Sequence, residues 1–108
     1  MPMHAHVVRI RVPADRLDEF AQRVGASAAT LPALADLGDL PGFRHGYLLV
    51  DRQRGEALAV TLLDTPEHRA AGAPPMREVL GGAAAATGAE VGTLAAYELA
   101  VAVSPATD

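Results

Sequence analysis

The order of the periodic segments is the feature that most constrains how this chain can fold. Four stretches alternate apolar and polar side chains or are rich in β-branched residues, as strands are: residues 4–12, 43–51, 56–63 and 92–103. A helical pattern follows the first and the third of them. The order is therefore β-α-β-β-α-β, which is the split βαβ pattern.

This order predicts an α+β domain with a four-stranded antiparallel sheet and both helices on one face. Right-handed crossovers place strands one and three in the middle of the sheet and strands two and four at its edges. The opposite face also carries apolar side chains, so something must cover it. A second copy of the chain is the simplest cover, which predicts a homodimer.

The first helical segment begins after Pro13, near Ala14 or Asp15. Its apolar residues recur at helical spacing and predict one buried face: Leu17, Phe20, Ala21, Val24 and Ala28. The segment that follows stays open, because Leu31, Leu34 and Leu37 keep a helical rhythm that Pro32, Gly38 and Pro41 interrupt.

The second helical segment has clear end signals. Thr65 suits the N-cap, Pro66 suits the first helical position, and Gly88 is typical of a helix end. Gly72, Pro74 and Pro75 predict a break, with a second helical piece beyond it.

Composition limits both the core and the range of functions. Half of the 108 residues are apolar, but 23 of those are Ala and there is no Trp. Ala buries little area, so the core is thin, which again favours an oligomer. A formal charge of −4 speaks against a general nucleic-acid binder and against docking on anionic membranes. Without Cys, disulfides and thiolate metal sites are excluded.

The chain reads as one domain over residues 1–108, with 104–108 as a frayed tail. Residues 1–12 lack the basic start and the apolar centre of a signal peptide, and no run is long enough to cross a bilayer. The Ala excess and the absence of Lys are typical of a GC-rich bacterial genome. We therefore expect a cytoplasmic bacterial protein.

Several motifs together carry a resemblance to a known family. They are Leu40-Pro41-Gly42-Phe43 at the entry to strand two, Leu48-Leu49-Val50-Asp51 within it, the segment from Thr61 to Glu67 that leads into helix two, and Tyr97-Glu98-Leu99. With these motifs the chain resembles the antibiotic-biosynthesis-monooxygenase-like proteins of the dimeric α+β barrel superfamily over nearly its whole length. The resemblance implies a ferredoxin-like fold that pairs with a second copy into a barrel.

The resemblance also implies a class of chemistry. The family includes enzymes that insert oxygen into electron-rich polycyclic phenols without metal or flavin, so it implies an aromatic or polyketide-type ligand, molecular oxygen and no cofactor. The haem-degrading branch resembles this chain less. Its characteristic Asn, Trp and His are replaced here by Val8, Leu63 and approximately Ala73. Leu63 thus stands where several branches carry a Trp at the site.

His45 and Tyr47 are two residues apart on a predicted strand and so project from the same face, together with Phe43 and Leu49. An imidazole there could take a phenolic proton from a ligand, and the neighbouring phenol could orient the anion. The alternative is that His45 is an exposed edge residue and Tyr47 a packing residue.

Tyr97 and His68 are further candidates. Tyr97 could point into the space between sheet and helices and bind a ligand, or it could fill an Ala-rich core. His68 lies in the first turn of helix two, where the helix dipole disfavours the cation, so it is a candidate base. The alternative for His68 is a solvated residue at a helix start.

Three more residues complete the candidate site. Leu63 and Met76 could line an apolar pocket, and Arg77 could hold an anionic group, although Met76 in the core and a solvated Arg77 are the simpler interpretation. His4 and His6 have a spacing that metals can use, but no third ligand is apparent, so we expect no metal site.

The hypothesis from sequence is therefore a cofactor-independent monooxygenase whose substrate lies between sheet and helices. His45 and His68 would be its catalytic residues, and His45, Tyr47, His68 and Tyr97 should converge on one apolar cavity. The rival is a non-catalytic dimer that binds a small molecule or assists a biosynthetic partner. A haem binder is the third hypothesis.

Overall fold

The sheet has the strand order that the sequence predicts. The computed structural model describes residues 2–36, 38 and 40–105, so Leu37 of the predicted helical rhythm and residues 106–108 of the predicted tail lie outside the described residues. The order across the sheet is β2-β3-β1-β4, with β5 also beside β1, and every pairing is antiparallel. The strands are β1 (His4–Arg11), β2 (Phe43–Asp51), β3 (Glu56–Leu63), β4 (Glu90–Val91) and β5 (Ala95–Glu98).

Helices follow β1 and β3, as the split βαβ order requires, and a short additional helix precedes β2. A 3₁₀ turn at Ala14–Arg16 leads into α1 (Leu17–Ala28), the short α2 is Leu31–Asp36, and α3 is Pro66–Thr87. The Thr65 hydroxyl accepts a hydrogen bond from the His68 N–H at 3.0 Å, which confirms the predicted N-cap. Gly88 ends α3 with a φ of 75°, as predicted.

The predicted break in the second helix is wrong, because α3 runs without interruption through Pro74 and Pro75. The two prolines remove the N–H donors that would reach the carbonyls of Ala70 and Ala71. Both of those residues are exposed, so water can bond their carbonyls in place of the helix. Proline φ values suit a helix, and burial of Met76 beyond the prolines holds the helix against the sheet.

The last predicted strand, residues 92–103, is shorter than expected and interrupted. Ile10 pairs with Val91 and Val7 pairs with Ala95. The edge strand therefore advances by four residues where β1 advances by three, and the extra residue forms a bulge. Pairing ends when the Leu99 N–H donates to the Met3 carbonyl at 2.8 Å, because β1 itself begins at His4. Residues 100–105 have no regular structure.

The core lies between the helices and one face of the sheet. Ala57 and Ala59 of β3 stand opposite Ile10 and Val8 of β1, and these small residues let α1 and α3 approach closely. Phe20 of α1 is fully buried there. A second cluster lies beyond it and contains Leu31, Leu40, Leu63 and Met76.

The other face of the sheet has no helix over it among the described residues. We call it the open sheet face. Tyr47, Leu49 and Tyr97 are more than half exposed there, at 53%, 56% and 57%. The register places these apolar residues on it: Val7, Tyr47, Leu49, Leu58, Val60, Leu62 and Tyr97. None of the helices described is long and apolar enough to span a bilayer.

Candidate functional site

A cleft separates β2 from the helices at one edge of the domain. Its volume is about 540 Å³. Small residues create it, because Ala21, Gly25 and Ala28 of α1 face Gly46 of β2 and Ala59 of β3, where larger side chains would fill the space. The larger residues that line it are mostly apolar: Val24, Leu31, Phe43, Leu48, Met76, Val79 and Leu80.

Polar groups are few inside the cleft and lie mainly at its mouth. Thr61 is buried, and its hydroxyl donates to the Met76 sulfur at 3.2 Å. Arg44 and His45 border the cleft from β2, and both are exposed. The interior therefore presents mainly apolar side chains and few polar groups to a ligand, as small-molecule sites usually do.

A bulge in β2 decides which side chains face this cleft. Phe43 stands opposite Leu63, but His45 stands opposite the next residue, Leu62, so Arg44 has no partner in the ladder. Phe43 consequently packs on the helix side, and the expectation that it shares a face with His45 and Tyr47 is wrong.

The expectation that His45 and Tyr47 project from the same face is confirmed. Their rings are stacked, with centroids 6.1 Å apart and an interplanar angle of 25°. The register directs both side chains to the open sheet face. They border the cleft nonetheless, because β2 is an edge strand and forms the rim of the opening.

Tyr97 does not point between sheet and helices. It stands opposite Ala5 and belongs to the open sheet face, outside the cleft lining. The bulge between Val91 and Ala95 is the cause. Without the extra residue, the register of β4 would place Tyr97 opposite His4, whose side chain lies on the helix side.

His68 forms a pair with Asp64 rather than lining the cleft. Its Nδ1–H donates to Asp64 Oδ1 at 2.5 Å, and the Arg44 guanidinium lies 3.7 Å from the other carboxylate oxygen. The hydrogen bond from His68, more than the nearby Arg44 charge, lowers the pKa of Asp64 below its usual value. Sequence reasoning missed Asp64, although four-residue spacing across a helix start was a usable signal.

Gly42 lies directly beside the Asp64–His68 pair. Its carbonyl accepts from the Asp64 N–H at 3.0 Å, and its φ of 75° is one that glycine adopts readily. A Cβ at this position would overlap the Asp64 carboxylate and the His68 ring. The turn before β2 is therefore built around the Asp64–His68 pair.

The remaining candidates divide between core and surface. Met76 lines the cleft, Leu63 is buried beside it, and Arg77 is exposed on α3 outside the lining. His6 is buried, and its Nε2 bonds the Arg69 carbonyl at 2.6 Å, which is the behaviour of a core histidine. Within the described residues no group of three or more His, Cys, Asp and Glu side chains could hold a metal.

The residues predicted to form the site therefore meet in the cleft only in part. The cleft brings together His45, Tyr47 and Met76, whereas His68, Tyr97 and Arg77 lie elsewhere. The expectation that four polar candidates meet in one cavity is wrong for a single chain. The cleft also includes Arg44 and Thr61, which sequence reasoning did not select.

Comparison with solved structures identifies the fold. A haem-degrading protein from Mycobacterium tuberculosis, solved with two haems in its active site, has a TM-score of 0.66 and 23% identity, covering 94% of this chain and 99% of that one. A cofactor-independent oxygenase from Streptomyces nogalater has a TM-score of 0.54 and 17% identity, covering 97% and 98%. A dimeric ferredoxin-like protein from an uncultured marine organism has a TM-score of 0.65 and 10% identity, covering 95% and 100%.

Other matches are candidate antibiotic biosynthesis monooxygenases from several bacteria. No family model and no curated protein matches the chain. The ferredoxin-like α+β fold predicted from the sequence is confirmed, and the resemblance to the antibiotic-biosynthesis-monooxygenase-like proteins is confirmed as a likeness of fold.

Proposed function

We propose that this protein is a cofactor-independent monooxygenase that takes a small aromatic molecule into the cleft. The cleft is the observation that carries the proposal. Its volume of about 540 Å³ lies within the range of small-molecule sites, and its walls are mainly apolar. The likeness of fold to a solved cofactor-independent oxygenase supports the same choice of chemistry.

His45 is the proposed base. It borders the mouth on an edge strand, where an exposed imidazole has room to turn toward a bound ligand. Removing a proton from an acidic ring carbon or phenol gives an anion that can pass an electron to molecular oxygen. For a ring methylene, one oxygen atom then becomes the ketone oxygen and the other leaves as water with the two methylene hydrogens. Tyr47 would orient the anion, and Met76 would form part of the apolar wall.

A second copy of the chain is the proposed cover of the open sheet face. Leu49 and Tyr97 are large and more than half exposed there. Burying them would add the apolar area that an Ala-rich monomer lacks. A dimeric ferredoxin-like protein among the solved structures supports the arrangement.

Ligand binding without turnover is the second candidate, and the β2 register favours it. The register directs the side chains of His45 and Tyr47 to the open sheet face, away from the helices. The Thr61 hydroxyl inside the cleft is already bonded to Met76. A molecule in the cleft would then be bound with no base in contact with it.

Oxygen uptake separates the two candidates. The pure, metal-free protein would be mixed with reduced polycyclic phenols and anthrones, with denatured protein as a blank. Monooxygenase function predicts uptake that His45→Gln abolishes and that His4→Gln, a change on β1 outside the cleft lining, leaves intact. Binding of the same compounds without uptake by the wild type would favour the second candidate. Uptake that survives His45→Gln would exclude His45 as the base.

A further inference from the structure

The lining of the cleft carries a single permanent charge. Arg44 is the one permanently ionised side chain in the lining as described, and that lining includes no carboxylate. We propose that the ligand is an apolar ring system with an anionic group, and that Arg44 binds this group at the mouth of the cleft. This proposal rests on the proposed binding function and adds the chemical class of the ligand.

Arg44 is available for such a contact. The bulge leaves it without a partner in the β2–β3 ladder, and 57% of its side chain is exposed. Its nearest carboxylate, on Asp64, is 3.7 Å away, which is too long for a hydrogen bond. An exposed ion pair of that length is weak and is screened by salt.

Two other arginines show what a firmly held guanidinium looks like in this chain. Arg16 contacts Glu19 at 2.8 Å and Arg52 contacts Asp18 at 2.7 Å. Asp64, in turn, already accepts a hydrogen bond from His68. Turning the Arg44 guanidinium from Asp64 to a ligand would therefore break no hydrogen bond among the described residues.

The geometry suits an amphiphilic ligand. A guanidinium can donate two parallel hydrogen bonds to a carboxylate or sulfonate, which a neutral polar group cannot match. The rings would be buried among Phe43, Met76 and Val79, while the anion would stay at the solvent-exposed rim with little loss of hydration. Since the whole chain carries a formal charge of −4, a preference for anions would have to arise locally.

Two fluorescent probes that differ only in the anion provide the test. Anilinonaphthalene sulfonate carries a sulfonate, and N-phenylnaphthylamine has the same rings without it. Their dissociation constants would be measured by fluorescence titration with wild type, Arg44→Gln, Arg44→Lys and Arg54→Gln. Arg54 is the matched control, because it also lies 3.7 Å from a carboxylate, on Asp51, but in the hairpin turn that follows β2.

The proposal predicts that Arg44→Gln weakens sulfonate binding about five-fold and leaves the neutral probe unchanged. Arg44→Lys should recover part of the loss, Arg54→Gln should behave as wild type, and added salt should reduce the difference. Equal effects of Arg44→Gln and Arg54→Gln would overturn the proposal while leaving neutral binding, and the proposed function, in place. Failure of both probes to bind would overturn both.

Discussion

Phe43 and His45 are two residues apart in the same strand, yet they face opposite sides of the sheet. Phe43 stands opposite Leu63 and packs into the second core cluster, whereas His45 stands opposite Leu62 on the open sheet face. The bulge at Arg44 causes this reversal and leaves Arg44 unpaired at the mouth of the cleft. The extra residue thus places Phe43 in the wall of the cleft, the Arg44 charge at its mouth and His45, the proposed base, on the open sheet face.

The turn before this bulge should be sensitive to a single methyl group. Gly42→Ala puts a Cβ against the Asp64 carboxylate and the His68 ring, and it also strains a φ of 75°. We expect a loss of about 3 kcal/mol in the free energy of unfolding, measured by urea denaturation.

Gly88→Ala is the control for that experiment. Gly88 has the same φ of 75°, but nothing lies within 4 Å of a Cβ there. It should cost about 1 kcal/mol, from the backbone alone. Equal losses at the two positions would show that the Asp64–His68 contact does not constrain the turn.

Asp64 should make stability depend on pH in the acid range. The hydrogen bond from His68 lowers its pKa in the folded state below the usual value of 3.8. The unfolded chain therefore takes up this proton first as the pH falls. The stabilising contribution is present above the unfolded-state pKa and is lost as the pH falls through the folded-state pKa.

Unfolding of Asp64→Asn at a series of pH values would check this. The variant should be less stable than wild type at neutral pH, and the difference should shrink below about pH 4. Glu78→Gln removes a charge from an exposed position on α3 and should show no such convergence. A difference for Asp64→Asn that stays constant into acid would contradict the account.

A charge on the open sheet face should separate the proposed dimer. Leu49 is 56% exposed and stands opposite Leu58 on this face. Leu49→Glu would bury a carboxylate in an apolar interface, so we expect the dimer dissociation constant to rise about 100-fold. Sedimentation equilibrium would measure it. Gln22→Glu, on the exposed side of α1, should leave assembly unchanged, and a wild type that is monomeric at all concentrations would refute the dimer.

The fold was predictable from the sequence because its signals are local and periodic. The alternation in β1 and β3, the Thr65 cap and the Gly88 end each report a short-range preference, and the structure confirms all of them. The prolines at 74 and 75 gave the wrong prediction of a break in the second helix. Their local penalty is small when the freed carbonyls face water and the residues on either side are packed on the sheet.

The site was predictable only in part because it depends on two bulges. Each bulge adds one residue, and one residue reverses every later side chain of a strand. Phe43 was assigned to the wrong face for this reason, and Tyr97 lies in neither of the two positions considered for it. The cleft is equally hard to foresee, since it arises where small residues on three elements meet, and pairing of distant small residues leaves no periodic signal.

Occupation of the cleft by an aromatic molecule is the central claim, and filling the cleft tests it most directly. Gly25 lines the cleft on α1 with nothing within 4 Å of a Cβ, so Gly25→Leu would occupy it without a clash at the Cβ. Gly81→Leu makes the same change on α3, where a Cβ also meets open space but outside the cleft lining. Both changes should favour their helices.

Binding of N-phenylnaphthylamine to these two variants and to wild type is the measurement. We predict that wild type and Gly81→Leu bind the probe alike and that Gly25→Leu binds it at least about ten-fold more weakly, because its leucine takes the place of the rings. Equal binding by all three proteins would place the probe on another surface, such as the open sheet face, and would contradict the account.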